Sequence, residues 1–173
     1  MMIKQRVRES LTEDYLIRII GFLISIFLFW LFDSIFKAGF LYSHYIIFIS
    51  ICTAGILLSP LYYIFKYYDK ILHFLSPFLL CFIIFFMVNN LQETRAIKLV
   101  FTFTITVSLI TLMELGEYVI DKTLNWDLQG VYIRSRSGVL KLEATQSKID
   151  DSMQDIIFGI VGCLFFILIR VFI

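Results

Sequence analysis

The stretch IKLVFTFTITVSLITLMELGEYVI, residues Ile97 to Ile120, decides the fold. Its only charges before Glu114 are those of Lys98, and it matches the roughly 20 apolar residues that cross a hydrocarbon core of about 30 Å. In lipid, only helices and closed barrels satisfy their own backbone polar groups, and a continuous apolar run of this length is helical. Four further runs resemble it: Tyr15 to Phe32, Tyr45 to Phe65, Ile71 to Val88 and Ile156 to Ile173.

The expected architecture is therefore an all-α, polytopic membrane helical bundle with five transmembrane helices in one membrane domain, residues 1–173. The composition agrees, with 60% hydrophobic and 17% charged residues and a mean hydropathy of +0.87. A soluble domain has roughly 45–50% apolar residues. A net charge of +1 is far from the strongly basic balance of nucleic-acid binders, so no nucleic-acid partner is expected. The basic residues before Tyr15 superficially resemble the start of a signal peptide. The apolar run is too long for one and lacks a small-residue cleavage site, so a retained span is expected.

Placing the N-terminus inside puts Lys4, Arg6, Arg8, Arg18, Lys66, Lys70, Lys122, Arg134, Arg136, Lys141 and Lys148 on the cytoplasmic face. Lys37, Arg95, Lys98 and Arg170 remain outside. This positive-inside bias predicts a multi-pass membrane protein with its N-terminus cytoplasmic and its C-terminus outside. Pro60 and Pro77 can each kink a helix near its cytoplasmic end. The polar cytoplasmic loop, 122–148, contains Val131 to Ser135 and Val139 to Glu143 around Arg136-Ser137-Gly138, which read as a short β-hairpin.

Carboxylates in or beside hydrocarbon are costly unless paired, hydrated or metal-bound. Glu114, Glu117 and Asp121 are spaced i, i+3 and i+7 and share one helix face. Asp151 and Asp155 stand one turn apart, and Gly159 and Gly162 continue their face into the membrane. Close packing of that face, with the fourth span as the expected neighbour, would gather five carboxylates. Glu114, Glu117, Asp121, Asp151 and Asp155 are accordingly the candidate metal ligands.

With no His or Cys expected nearby, Mg, Mn or Ca is the suited divalent cation. Glu117 and Asp155 are the candidate catalytic bases. Gln129, Arg134, Arg136 and Arg18 are candidate contacts for a headgroup. Asp150 and Asp151 also suit a helix N-cap and first turn, and Asp121 an interfacial ion pair with the adjacent Lys122. Cys52, Cys81 and Cys163 lie in apolar runs without metal or disulfide spacing and read as small buried residues.

Three motifs carry a resemblance: MELGEYVID at Met113 to Asp121, QGVY at Gln129 to Tyr132, and DDSMQDIIFGIVG at Asp150 to Gly162. In this C-terminal third the chain resembles the YjdF-like small bacterial membrane proteins and, more distantly, the VanZ-like proteins. The latter likeness implies a link to the cell envelope. The leading functional expectation is a carboxylate pocket near the inner leaflet. It would hold a divalent cation and, through it, a polar or phosphorylated lipid headgroup. The other expectations are a metal-dependent enzyme acting on a lipid-linked phosphate, an ion- or proton-coupled carrier, and an accessory subunit. Membrane lipids are the expected partners, with a membrane-protein partner or a second copy of the chain beside them.

Overall fold

The computed structural model describes residues 2–63, 65, 67–124, 132–134, 142–144 and 147–172, with side chains for 15–62, 65, 67–123 and 147–172. Among these described residues, five α-helices follow in order: α1 (Met2–Phe36), α2 (Tyr42–Cys52), α3 (Tyr68–Asn89), α4 (Arg95–Leu124) and α5 (Lys148–Phe172). Among the described residues, four segments are long and apolar enough to cross a membrane: Tyr15–Phe36, Tyr68–Asn89, Arg95–Thr123 and Lys148–Phe172.

The run expected to form the second span behaves differently. Its α-helix stops at Cys52, loosens into a π-turn at Thr53–Leu57 and tightens to 3-10 geometry at Ser59–Tyr63. Pro60 has no N–H to continue a helical ladder, so the chain changes pitch where composition alone continues. The apolar helical stretch Tyr42–Leu57 is shorter than the spanning helices.

Two short strands, β1 (Tyr132–Arg134) and β2 (Leu142–Ala144), pair antiparallel with Ile133 opposite Glu143. The expected turn at Arg136-Ser137-Gly138 lies outside the described residues.

The chain divides into two compact units, Met1–Ser59 and Pro60–Ile173. In the first, Asp33 near the end of α1 organises the turn into α2. Its Oδ1 accepts the Gly39 and Phe40 N–H groups at 2.8 and 3.2 Å, and Tyr45 Oη donates to its Oδ2 at 2.5 Å. Gly39 supplies the positive φ of +70° that this turn requires. Phe29 stacks between Phe40 and Phe48, and His44 Nδ1 accepts the Leu41 N–H at the start of α2. His44 thus has a local capping contact.

The second unit is built from α3, α4 and α5 around Cys81, Ile84, Phe85, Val88, Leu99, Ile110, Cys163 and Phe166. All three cysteines are free and buried, and Cys81 lies 3.5 Å from Thr106 Oγ1. α5 packs most extensively on α3, and its glycine face meets both neighbours. A Cβ at Gly159 would lie 2.9 Å from Ile110 Cδ1 of α4, the expected neighbour, whereas Gly162 faces α3. The reason is local: a Cβ at Gly162 would lie 2.2 Å from the Phe74 carbonyl oxygen. Only glycine lets the two backbones meet this closely.

Gly162→Ala is therefore expected to force α3 and α5 apart and to destabilise the unit by at least about 1–3 kcal/mol, the range for overpacking. Gly116→Ala, with nothing within 4 Å of the added Cβ, should leave stability unchanged or slightly higher. Thermal unfolding of both variants in detergent checks the contrast. Equal melting temperatures would show that the close approach is not required.

Candidate functional site

Three helix ends meet in the second unit. α3 begins at Tyr68, earlier than the apolar run suggested, and its first turns carry Asp69, Lys70 and His73. α5 begins at Lys148, eight residues before the expected span, so Asp151 and Asp155 are helical from the outset. α4 contributes Glu114 near its far end. Glu114, Asp151 and Asp155 are 3%, 1% and 2% exposed, too buried for water to compensate their polarity.

Lys70 joins three of the acids. Its Nζ lies 2.9 Å from Asp69 Oδ2, 2.7 Å from Asp151 Oδ1 and 2.6 Å from Asp155 Oδ1, so one ammonium bridges α3 and α5. The other oxygens of Asp69 and Asp155 face His73. Nε2 of His73 lies 3.4 Å from Asp69 Oδ1 and 3.9 Å from Asp155 Oδ2. One donor atom from each of Asp69, His73 and Asp155 falls within 4.8 Å of the others.

On the opposite side of the ring, His73 Nδ1 faces Glu114 Oε1 at 3.6 Å, beyond hydrogen-bonding distance. That buried oxygen has no hydrogen-bond partner among the described residues. Ser152 supplies a side-chain hydrogen bond to the same carboxylate. Buried carboxyl oxygens are ordinarily satisfied, so the unmet one marks an incomplete polar network.

The remaining sequence candidates separate. Asp121 pairs with Lys148 Nζ at 2.8 Å across α4 and α5, its carboxylate buried and the ammonium about a third exposed. Asp150 is exposed and belongs to the N-cap of α5, where its N–H donates to Ser147 Oγ at 3.1 Å and Ser147 Oγ donates back to its Oδ2 at 2.6 Å. Glu117 is half-buried, in the electrostatic field of Glu114, His73, Asp69 and Asp155. Arg18 is half-buried in the first unit. Gln129 and Arg136 lie outside the described residues, and Arg134 is placed on β1 by its backbone alone.

Sequence reasoning missed Asp69, Lys70 and His73. The available signal was Asp69 and His73 at i, i+4, which puts them on one face if the helix starts before Ile71. It also missed Tyr62, which packs edge-on against Tyr68 with ring centroids 5.2 Å apart. Burial, together with negative charge on Asp69 and Glu117, pushes the Tyr62 phenol above its ordinary range and keeps it a protonated donor.

A family model described as a predicted membrane protein matches residues 2–173. The chain belongs to this family, DUF2238. The YjdF-like resemblance of the C-terminal third agrees with that membership, and the match extends it over nearly the whole chain. No curated protein and no solved structure matches the chain. In this DUF2238 member, the acids singled out by sequence fall into a central group and a peripheral pair. Asp151, Asp155 and Glu114 surround Lys70 and His73, whereas Asp121 and Asp150 have separate local partners.

Proposed function

We propose that this protein holds a divalent metal cation between Asp69, His73 and Asp155 and through it binds a polar or phosphorylated lipid headgroup. The observation that carries this reading is the division of labour among the side-chain atoms. Lys70 takes one oxygen of Asp69 and one of Asp155, which leaves the other oxygen of each turned toward His73 Nε2.

Donors on a metal with bonds of about 2.0–2.2 Å are roughly 3.0–3.6 Å apart, near the 3.4 and 3.9 Å found here. Glu114 would then complete the outer layer by accepting from His73 Nδ1–H, the arrangement that orients metal-bound histidines. As ionised groups, Asp69, Glu114, Asp151 and Asp155 outweigh the Lys70 ammonium when His73 is the neutral imidazole that metal binding requires, and a dication would offset much of the excess. Imidazole among carboxylates favours Mn2+ or Zn2+ over the Mg2+ and Ca2+ suited to oxygen ligands alone.

Three protein ligands leave coordination positions for phosphate oxygens. The inner-leaflet placement rests on the positive-inside bias, and the envelope-lipid class on the likeness to VanZ-like proteins in the C-terminal third. Protein purified without chelator is expected to contain near-stoichiometric Mn or Zn by elemental analysis. After chelation, its melting temperature should rise when either metal is restored. Metal-free protein with no response to Mn2+, Zn2+, Mg2+ or Ca2+ would refute the reading.

Glu117 favours a second reading, a metal-dependent enzyme. It stands in the field of the same centre, and no ion pair among the described residues involves it, so it could serve as a general base. Asp155 is less suited to that role because Lys70 holds it. Chelator-sensitive turnover of radiolabelled polyprenyl or glycerophospholipid phosphates, lost in Glu117→Gln, distinguishes catalysis from binding.

A further inference from the structure

At the end of the second unit away from Asp69, three cations gather where α3 ends, α4 begins and α5 ends. The Arg170 guanidinium lies over the Phe85 ring at 4.5 Å and beside Phe166 at 5.9 Å. Arg95 Nη2 donates to the Arg170 carbonyl oxygen, and Lys98 Nζ donates to the Asn89 carbonyl oxygen at 2.6 Å. Among the described residues, no carboxylate forms an ion pair with any of the three.

Arg170 Nε is buried and has no hydrogen-bond partner among the described residues. A guanidinium carries five N–H donors in a planar fork and does not shed its charge in proteins, so it cannot relieve an unmet donor by deprotonation. The Phe85 face stabilises the cation but accepts no hydrogen bond from its edge. The C-terminal dipoles of α3 and α5 favour positive charge here, yet they leave that edge unsatisfied.

We propose that Arg170, supported by Arg95 and Lys98, forms an anion site for a phosphate group at this end of the unit. Stacking on Phe85 fixes the plane of the guanidinium, and phosphate oxygens match its fork. Arg95 and Lys98 add charge from the start of α4. The position at the ends of apolar spans suits the phosphodiester of a phospholipid, and inorganic phosphate offers the same chemistry. The site shares no residue with the proposed metal centre and stands independently of it.

The test uses the full chain in a mild detergent, with phosphatidylglycerol, diacylglycerol or sodium phosphate added separately. Native mass spectrometry should show retained phosphatidylglycerol, with a matching rise in melting temperature that phosphate-free diacylglycerol does not produce. Arg170→Gln should weaken retention roughly tenfold or more, as loss of a charge-assisted contact implies, and Arg170→Lys should keep part of it. Stabilisation by sodium phosphate without lipid retention would assign the site to free phosphate. Arg95→Gln provides the comparison if Arg170→Gln does not fold. Equal retention by the wild type and both Gln variants, with no phosphate-dependent change in melting temperature, would overturn the proposal.

Discussion

Lys70→Met is expected to destabilise the second unit by about 3–5 kcal/mol, the cost of removing one side of a buried ion pair. Methionine preserves length and apolar contact while deleting the ammonium that Asp69, Asp151 and Asp155 share at 2.9, 2.7 and 2.6 Å. Two of these acids are on α5 and one is on α3, so the loss falls on the interface that Gly162 brings close. The expected cost measures acids left uncompensated; the intact network need not contribute as much net stability, because burying its charges is itself unfavourable. Adding Asp151→Asn to Lys70→Met should therefore restore a substantial part of the loss. Thermal unfolding followed by helical circular dichroism separates the cases. A Lys70→Met protein within about 1 kcal/mol of wild type would mean that the network carries little weight in folding.

His73→Gln is expected to abolish the metal-dependent rise in melting temperature while leaving the polar volume of the ring largely filled. Ligand at 100 times its dissociation constant stabilises by about 2.7 kcal/mol, so the loss would be readily measured. Glu114→Gln should act differently, since Glu114 faces Nδ1 and not the proposed metal side of the ring. Changes to such outer partners typically reduce metal affinity about 10–100-fold. A weakened response in Glu114→Gln beside an absent one in His73→Gln would separate ligand from support. An undiminished response in His73→Gln would remove the imidazole from the site.

The acids were visible in the sequence because an ionisable group in an apolar run needs an explanation wherever it points. Asp151, Asp155 and Glu114 are buried together, while Asp150 joins the cap of α5 and Asp121, itself buried, pairs with Lys148 of α5 and not with the adjacent Lys122. Asp69 and Lys70 were overlooked because hydropathy begins the span at Ile71, whereas the helix begins at Tyr68, and without Asp69 on its face His73 had no ligand partner at a matched spacing. A helix ends where its hydrogen-bond ladder ends, not at its last apolar residue. The same error shortened α5, although the continuity of its acidic turn with its glycine face was legible from the spacing of Asp151, Asp155, Gly159 and Gly162. In the second run, steady hydropathy masked the change of pitch near Pro60.

By itself, the sequence determined a helical membrane protein and the faces within each helix that carry acids, because both depend on the local repeat of the backbone and on its need for hydrogen bonds in lipid. Only the tertiary structure decided which acids share Lys70, which oxygens turn to His73 and which residue pairs with Lys148. Those contacts depend on how each helix is rotated and how deeply it is set against its neighbours. Between α3 and α5, that relation is governed by the contact of Gly162 with the Phe74 backbone, which a one-dimensional pattern does not encode.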